Sequence, residues 1–345
     1  MAITRDFANN GQFNVVDWTQ EVNTIPNQWG TIGQLGIFSQ ESVAEHVVTF
    51  EEIIKDGAIL VDRVRGDRSS LNQGSQRKLH AFQVPHFPLE DAIYPQDIQG
   101  KRAYGSPDAA ETFDAVRARK MQRVRQNHAW TLEFARAYAL TTGLVYAPNG
   151  TVSQDWYQEM TGAARPAAID FLLGTGTTDI LAKIEQAIAQ MQDASGAVTY
   201  TGIVALCSTE FFSKLISHAT IKQAYQYYTS TQEPLRQRLA AGGSITSMHR
   251  EFFHGGIRFI ELRDSYAGQR LIPANEAYFV PTGTDYFKTY FSPANRFGLV
   301  NTLGEEVYYF ENMNANGTAY TIETESNFVN ALLKPLMVIK ATTSN

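Results

Sequence analysis

Val84-Pro-His-Phe-Pro-Leu-Glu-Asp-Ala-Ile-Tyr-Pro-Gln-Asp-Ile-Gln-Gly100 sets three prolines, three carboxylates and a histidine into seventeen residues. Pro85, Pro88 and Pro95 rule out a continuous helix and bias the residues before them toward extended backbone. Glu90, Asp91 and Asp97 therefore have no helical i,i+4 register to bring them together. With His80 just upstream, the stretch reads either as a metal or acid-base site or as an extended strip whose charges meet cations elsewhere. A metal site needs converged ligands held by a second shell of hydrogen bonds, and the spacing of His80, His86 and these acids does not indicate one. The extended strip is the better reading.

Upstream, the alternation in Val43–Glu51, the turn signal Lys55-Asp-Gly57, the apolar run Ala58–Val64 and the polar excursion Arg65–Lys78 read as two long arms of a hairpin with a mobile tip. Residues 1–35 are rich in Asn, Gln and Thr and carry isolated anchors at Phe13, Val15, Trp18, Ile25, Trp29 and Leu35. No helical stripe is sustained there, so an extended arm is expected. Downstream, Ser106-Pro-Asp opens a long helix that runs to Gly143. Its middle carries Arg117, Arg119, Lys120, Arg123 and Arg125, either a solvated face or a basic surface for nucleic acid or a carboxylate-bearing neighbour. Residues 142–175 suggest a strand pair or inserted hairpin. A second helix spans Thr178–Gln192, capped by Thr178, and Tyr200–Cys207 is a buried strand. A third helix capped by Ser208 or Thr209 reaches Tyr227, followed by Glu233–Leu239 and a turn at Ala241-Gly-Gly. Short strands at 256–262, 277–281, 287–291, 306–310, 320–325 and 336–340 complete an α+β chain.

Length and composition allow a large core: 345 residues, 43% of them hydrophobic. A formal charge of -6 provides no global attraction for nucleic acid or an anionic membrane. The N-terminus lacks the apolar stretch of a signal peptide, and no apolar run approaches the roughly 18 residues that cross a bilayer. Cys207 is the one cysteine, so no intramolecular disulfide and no CxxC knuckle exists. The 16 Tyr and 20 Phe suit large interfaces between subunits. No catalytic constellation assembles on the sequence. His46, His128, His218, His249 and His254 follow no metal spacing. Glu251-Phe-Phe-His254 before Gly255-Gly256 reads as a tight turn rather than an acid-base pair, and Leu173-Gly-Thr-Gly lacks the lysine of a phosphate loop. No catalytic, cofactor-binding or metal residue is assigned, and the chain is not expected to be an enzyme.

Taken in order, Gly57–Asp67, Val84–Gly100, the helix after Ser106-Pro107, Phe253-His-Gly-Gly-Ile-Arg-Phe-Ile-Glu-Leu262 and Tyr320-Thr-Ile-Glu-Thr-Glu-Ser-Asn327 resemble tailed-bacteriophage major capsid proteins of the lambda-like E family, which have the HK97-type fold. The resemblance implies an N-terminal arm at 1–41, and P-domain entry strands with an extended E-loop at 42–103. It implies a P domain at 104–197, with spine helix 106–141 and an inserted segment 142–175, then an A domain at 198–310 and a return through P at 311–345. It further implies self-assembly into pentamers and hexamers that enclose double-stranded DNA nonspecifically in an icosahedral head. The virion capsid would assemble in the host cytoplasm with a scaffold or head-assembly protein, a portal and a possible decoration protein, without membrane or cofactor. Arg63, Arg65, Arg68, Arg77 and Lys78 of the E-loop would then pair with acids on the next subunit, Phe82, Phe87, Ile93 and Tyr94 would anchor the extended strip to a neighbouring subunit, and no Lys–Asn isopeptide crosslink is expected. The alternatives are a shell of the same fold around protein cargo, and, less favoured, an uncharacterised enzyme.

Overall fold

The structure, a computed structural model, describes residues 3–6, 14–25, 30–54, 76–101, 111–196, 199–226, 250–263, 265–266 and 268–344. The 55–75 loop and the 233–243 segment lie outside the described residues, as do Ser106 and Pro107 themselves, although the start of the long helix is described. The N-terminal region contributes β1 (Ile3–Asp6), β2 (Asn14–Asp17), α1 (Thr19–Thr24), α2 (Thr31–Gln34) and β3 (Ser39–Ser42). It is not the helix-free extended arm expected from sequence. Of the isolated anchors, Trp18 and Ile25 pack on the cluster around Tyr309 and Leu35 on the main core, so they attach to the chain's own body, while Phe13, Trp29 and the Val15 side chain lie outside the described residues; Val22 and Ile32, which were not expected anchors, are fully buried.

β4 (Val47–Ile54) and β5 (Gln76–Gln83) pair antiparallel from Val47↔Gln83 to Ile54↔Gln76, as the hairpin reading requires. Phe82 at its base is fully buried and lies 4.3 Å from the Trp156 ring. The decisive proline-rich stretch becomes β6 (His86–Ile93), followed by a short 3-10 turn at Pro95–Asp97. Pro88 has no N–H to give a ladder and sits in a strand with one pairing partner, where proline is tolerated.

The long helix α3 (Phe113–Thr142) begins later than the Ser106 cap predicts. Thr112 is extended, and its hydroxyl accepts the Ala115 N–H at 3.3 Å, with Asp114 in the first turn. A second hydroxyl-plus-acid signal thus sets the start. Thirty residues at about 1.5 Å each make a rod of about 45 Å. It stops at Gly143 as expected, where the Arg165 guanidinium donates to the carbonyls of Leu140 and Thr141.

The 142–175 segment is not a strand pair: one bridge, Leu144↔Asp155, leads into α4 (Trp156–Thr161), and β7 (Ile169–Asp170) follows. Trp156 and Tyr157 are both buried there. α5 (Ile180–Ser195) is capped by the Asp179 carboxylate, which accepts from Leu181 and Ala182, rather than by Thr178. Ile180, Ile184, Ala187 and Met191 form its buried stripe. β8 (Gly202–Cys207) leads to Ser208, whose hydroxyl caps α6 (Thr209–Ser217). The single helix expected to reach Tyr227 is broken at His218, which turns extended while its ring meets Thr220 and the Thr175 carbonyl; α7 (Ala219–Gln226) resumes beyond it.

β9 (Glu251–His254) and β10 (Ile257–Glu261) form a hairpin through Gly255 and Gly256, both at positive φ, where two-residue turns favour glycine. A small ribbon, β11 (Ser265–Tyr266) with β12 (Gln269–Arg270), precedes β13 (Glu276–Thr282), β14 (Phe287–Phe291), β15 (Tyr308–Met313), β16 (Tyr320–Leu332) and β17 (Ile339–Thr342). The expected strand over 336–340 is partly a 3-10 turn, Pro335–Met337, because Pro335 starts a turn rather than a ladder.

Two sheets organise these elements. A seven-stranded sheet runs β1-β2-β15-β16-β14-β3 with β6 also on β16, and α3 lies across β6 and β16. A six-stranded sheet runs β7-β17-β13-β8-β10-β9, flanked by α5 and α6. Burying both faces of β8 explains its unbroken apolar run.

Candidate functional site: charged and apolar surfaces for assembly

Strand alternation gives β6 and β16 two distinct faces. Phe87, Leu89 and Asp91, opposite Ser326, Thr324 and Ile322, face α3. Phe87 stacks on Phe328 at 4.8 Å, and Asp91 receives the Lys120 ammonium at 2.7 Å. His128 of α3 is buried between these elements, its Nε2 3.0 Å from the Thr324 hydroxyl. That hydroxyl donates onward to the Leu89 carbonyl at 2.7 Å, so Nε2 carries a proton and donates it to Thr324. Burial, with the Arg125 cation nearby, holds the imidazole down to about 4.

The other face carries His86, Pro88 and Glu90 opposite Asn327, Glu325 and Glu323. His86 Nδ1 lies 2.7 Å from the Asn327 amide oxygen and 3.2 Å from Glu325. The Arg296 guanidinium pairs with Glu323 and lies 3.9 Å over the Phe310 ring. These groups line a cleft of about 480 Å³ rimmed by Phe297.

The cations of α3 are not a free basic surface. Arg117 pairs with Asp114 at 2.9 Å, Arg119 with Glu111 at 3.0 Å, Lys120 with Asp91, and buried Arg125 with Glu306 at 2.7 Å. Of the five, Arg123 alone makes no ion pair among the described residues, and it is exposed. The reading of this stretch as a face for nucleic acid or a neighbour's carboxylates is thus corrected for four of its cations. Their acids come from 111, 114, 91 and 306, and Glu306 is too distant in sequence for spacing to reveal it.

Two of the three acids of the opening stretch, Asp91 and Asp97, are likewise matched within the chain. Asp97 accepts the Tyr94 backbone N–H at 3.0 Å and pairs with Lys101, which together hold its carboxyl below the usual range. Glu90 stays exposed. His80 is buried and stacked on Phe82. Phe82 and Ile93 are buried, and Phe87 half-buried, in the chain's own core, so among the expected anchors to a neighbour only Tyr94 is exposed. Lys78 is exposed and donates to the Glu159 carbonyl, while the side chains of Arg63, Arg65, Arg68 and Arg77 lie outside the described residues.

Sequence reasoning missed a buried network under the N-terminal region. Glu133 of α3 accepts from the backbone N–H groups of Ile32 and Gly33, capping α2, and Arg136 reaches Thr289, which donates to Asn330. The signal available was a Glu and an Arg three apart on the otherwise apolar C-terminal half of the helix. Glu251 pairs with Arg258 at 2.7 Å and His254 stacks on Phe252, which fits the turn reading of that cluster. Buried Glu261 meets both Arg250 and Arg263; burial pushes its carboxyl up, but these hydrogen bonds outweigh it. Burial raises the Cys207 thiol well above its ordinary value, leaving it a packed apolar group. Among the described residues, no group of three His, Cys, Asp or Glu side chains is placed to hold a metal ion, and no helix is long and apolar enough to cross a membrane.

Comparison with known proteins places this arrangement among shell proteins. The family described as phage major capsid protein E matches residues 14–343. The chain is 45% identical to the major capsid protein of Pseudomonas phage KPP10, covering 95% of this chain and 96% of that one. It is 26% identical to the major capsid protein of Salmonella phage Felix O1, covering 95% of each. A crystal structure of the putative capsid protein of an E. coli CFT073 prophage shares the fold over 100% of both chains, with a TM-score of 0.61 at 12% identity.

Proposed function

Because the chain belongs to the phage major capsid protein E family, its copies form the icosahedral head shell of a phage, and we propose how the observed geometry serves that task. The family match over residues 14–343 carries the assignment. The fold is of the HK97 type, and the chain works as a structural rather than a catalytic component of the virion.

In the proposed arrangement, the seven-stranded sheet with α3 as spine is the P domain, and the six-stranded sheet with α5 and α6 is the A domain. β14 and β15 belong to the first sheet, and β7 and β17 to the second. The A domain is therefore better bounded near Thr282 than at 310, and the chain end returns through A rather than P. The β4–β5 hairpin with its 55–75 loop is the E-loop, which crosses to an adjacent copy, and residues 1–13 are the part of the arm that reaches a neighbour. Pentamers and hexamers so joined enclose double-stranded DNA without reading its sequence. Internal pairing of the α3 cations supports this, since a wall with few free cations grips phosphates weakly. A scaffold or head-assembly protein, a portal and a decoration protein are the proposed further partners. Many weak contacts acting together hold such a shell, because each attachment raises the effective concentration of the next. Electron microscopy of the expressed chain, with and without an internal scaffold, tests the assignment: closed shells are expected.

A further inference from the structure

On the α3 side of β6, closed by the 147–151 loop, lies a second cleft of about 380 Å³ to which shell building gives no task. Buried Pro85 and His128 form its floor, half-buried Phe87 and Leu89 its wall, and exposed Pro148 and Asn149 part of its rim. Small-ligand pockets have this size and this mixture of apolar walls with a few polar groups. Among the described residues no Asp, Glu, Lys or Arg lines it, whereas the cleft on the opposite face of β6 carries three carboxylates and Arg296. An ionic guest would lose its water here and find no counter-charge, so the cleft selects a neutral one.

The floor supplies one directional group. His128 Nε2 gives its proton to Thr324, whose own hydroxyl proton goes to the Leu89 carbonyl. Burial first and the Arg125 charge second keep the ring neutral at pH 7. Nδ1, on the other side of the imidazole, is therefore an acceptor, and among the described residues it meets no donor. A guest's hydroxyl or N–H recovers the free energy that an unmatched acceptor costs. Phe87 is fixed by stacking on Phe328 and Tyr146, 4.8 and 6.1 Å away, and Pro85, Pro88 and Pro148 are rigid rings, so this apolar surface loses little freedom on contact. Water can meet Nδ1 but gains nothing from the Phe87 and proline surface, which a ring covers.

We propose that this cleft binds a small neutral ring compound carrying one hydroxyl or N–H donor, which hydrogen-bonds His128 Nδ1 and lies against Phe87 and the prolines. Its walls come from β6, α3 and the 147–151 loop, so a bound guest ties these three segments together and stabilises the folded chain. One chain supplies the whole site, which does not depend on shell assembly.

The probe is phenol, with anisole as its counterpart lacking the donor, and the sample is the unassembled full-length chain. Phenol should raise the melting temperature saturably, with half the effect near about 1 mM. Anisole should need about ten-fold more, the worth of one buried hydrogen bond. In nitrogen NMR of chain made with isotope-labelled histidine, the signals missing from His128→Gln identify His128. Its Nδ1 signal should move several-fold further with phenol than with anisole. Thr131→Phe fills the cleft from α3, and the lost hydroxyl donates only to the Asn127 carbonyl of its own helix. This variant should keep the parent's circular dichroism and weaken the phenol response at least about ten-fold. No saturable response, equal responses to phenol and anisole, or an unmoved His128 Nδ1 signal overturns the proposal. A phenol response that survives in folded Thr131→Phe also overturns it, by placing the guest elsewhere. Should Thr131→Phe not fold, the NMR titration of the parent decides alone.

Discussion

Lowering the pH from 7 to 5 destabilises the folded chain through His128, and replacing it with glutamine removes that component. The ring is buried against β6 and β16, and neutral in the fold, donating from Nε2 to Thr324. Burial first and the Arg125 charge second hold its protonation down to about 4, against about 6.5 for an exposed imidazole. The unfolded chain therefore takes up a proton as pH falls through about 6.5, and the folded chain follows only near 4. Between those values the unfolded state binds more protons, so stability falls with falling pH. At about 1.4 kcal/mol per pH unit the loss is about 2 kcal/mol by pH 5 and about 3 kcal/mol in all, and it vanishes above about pH 7. His128→Gln keeps an N–H for Thr324 but does not titrate. Urea unfolding of the unassembled parent and variant at pH 7 and pH 5 reads the difference. The parent should lose about 2 kcal/mol more than the variant over that interval. Equal losses within about 0.5 kcal/mol would refute the argument that burial keeps this ring neutral.

Three further outcomes follow from the packing. Gly304→Ala should destabilise the chain by roughly 1 to 3 kcal/mol in thermal or urea melts, because an added Cβ would sit 2.2 Å from the backbone oxygen of Phe291, where no side-chain rotation relieves the contact. Removing residues 1–13 should leave a folded body, whereas removing 1–35 should unfold or severely destabilise it. The longer deletion takes away buried Val22 and Ile32 and leaves the Glu133 carboxylate without the Ile32 and Gly33 N–H groups, as circular dichroism and protease resistance will report. In mature particles boiled in detergent this chain should run as one 38.5 kDa band; covalent ladders of it would contradict the expectation of no isopeptide crosslink.

The elements marked by strong local signals were legible in the sequence. Ser208 before an apolar helix, Gly255-Gly256 between two strands and Gly143 at a helix end act through their own backbone, so the residue type suffices. Where two local signals compete, the outcome depends on packing: Thr112 rather than Ser106 is seen capping α3, and Asp179 rather than Thr178 caps α5. The N-terminal region was misread because its helices are too short to show a stripe; Ile32 and Val22 gain their burial from the body, not from local periodicity. The charges were hardest. Arg125 meets Glu306 across 181 positions and Asp91 meets Lys120 across 29, and sequence spacing carries no trace of either pair. The same applies to the Glu90–Glu323 juxtaposition, which exists only through strand register. The order of segments, by its resemblance to phage major capsid proteins, pointed to a shell protein, while the residues that join its copies depend on which charges the fold leaves unmatched.

The most direct test of the central claim is electron microscopy of the purified full-length chain expressed with and without an internal scaffold. Closed icosahedral shells with capsomers of five and six copies are the predicted result. A chain that stays monomeric under both conditions, while folded by circular dichroism, would contradict it.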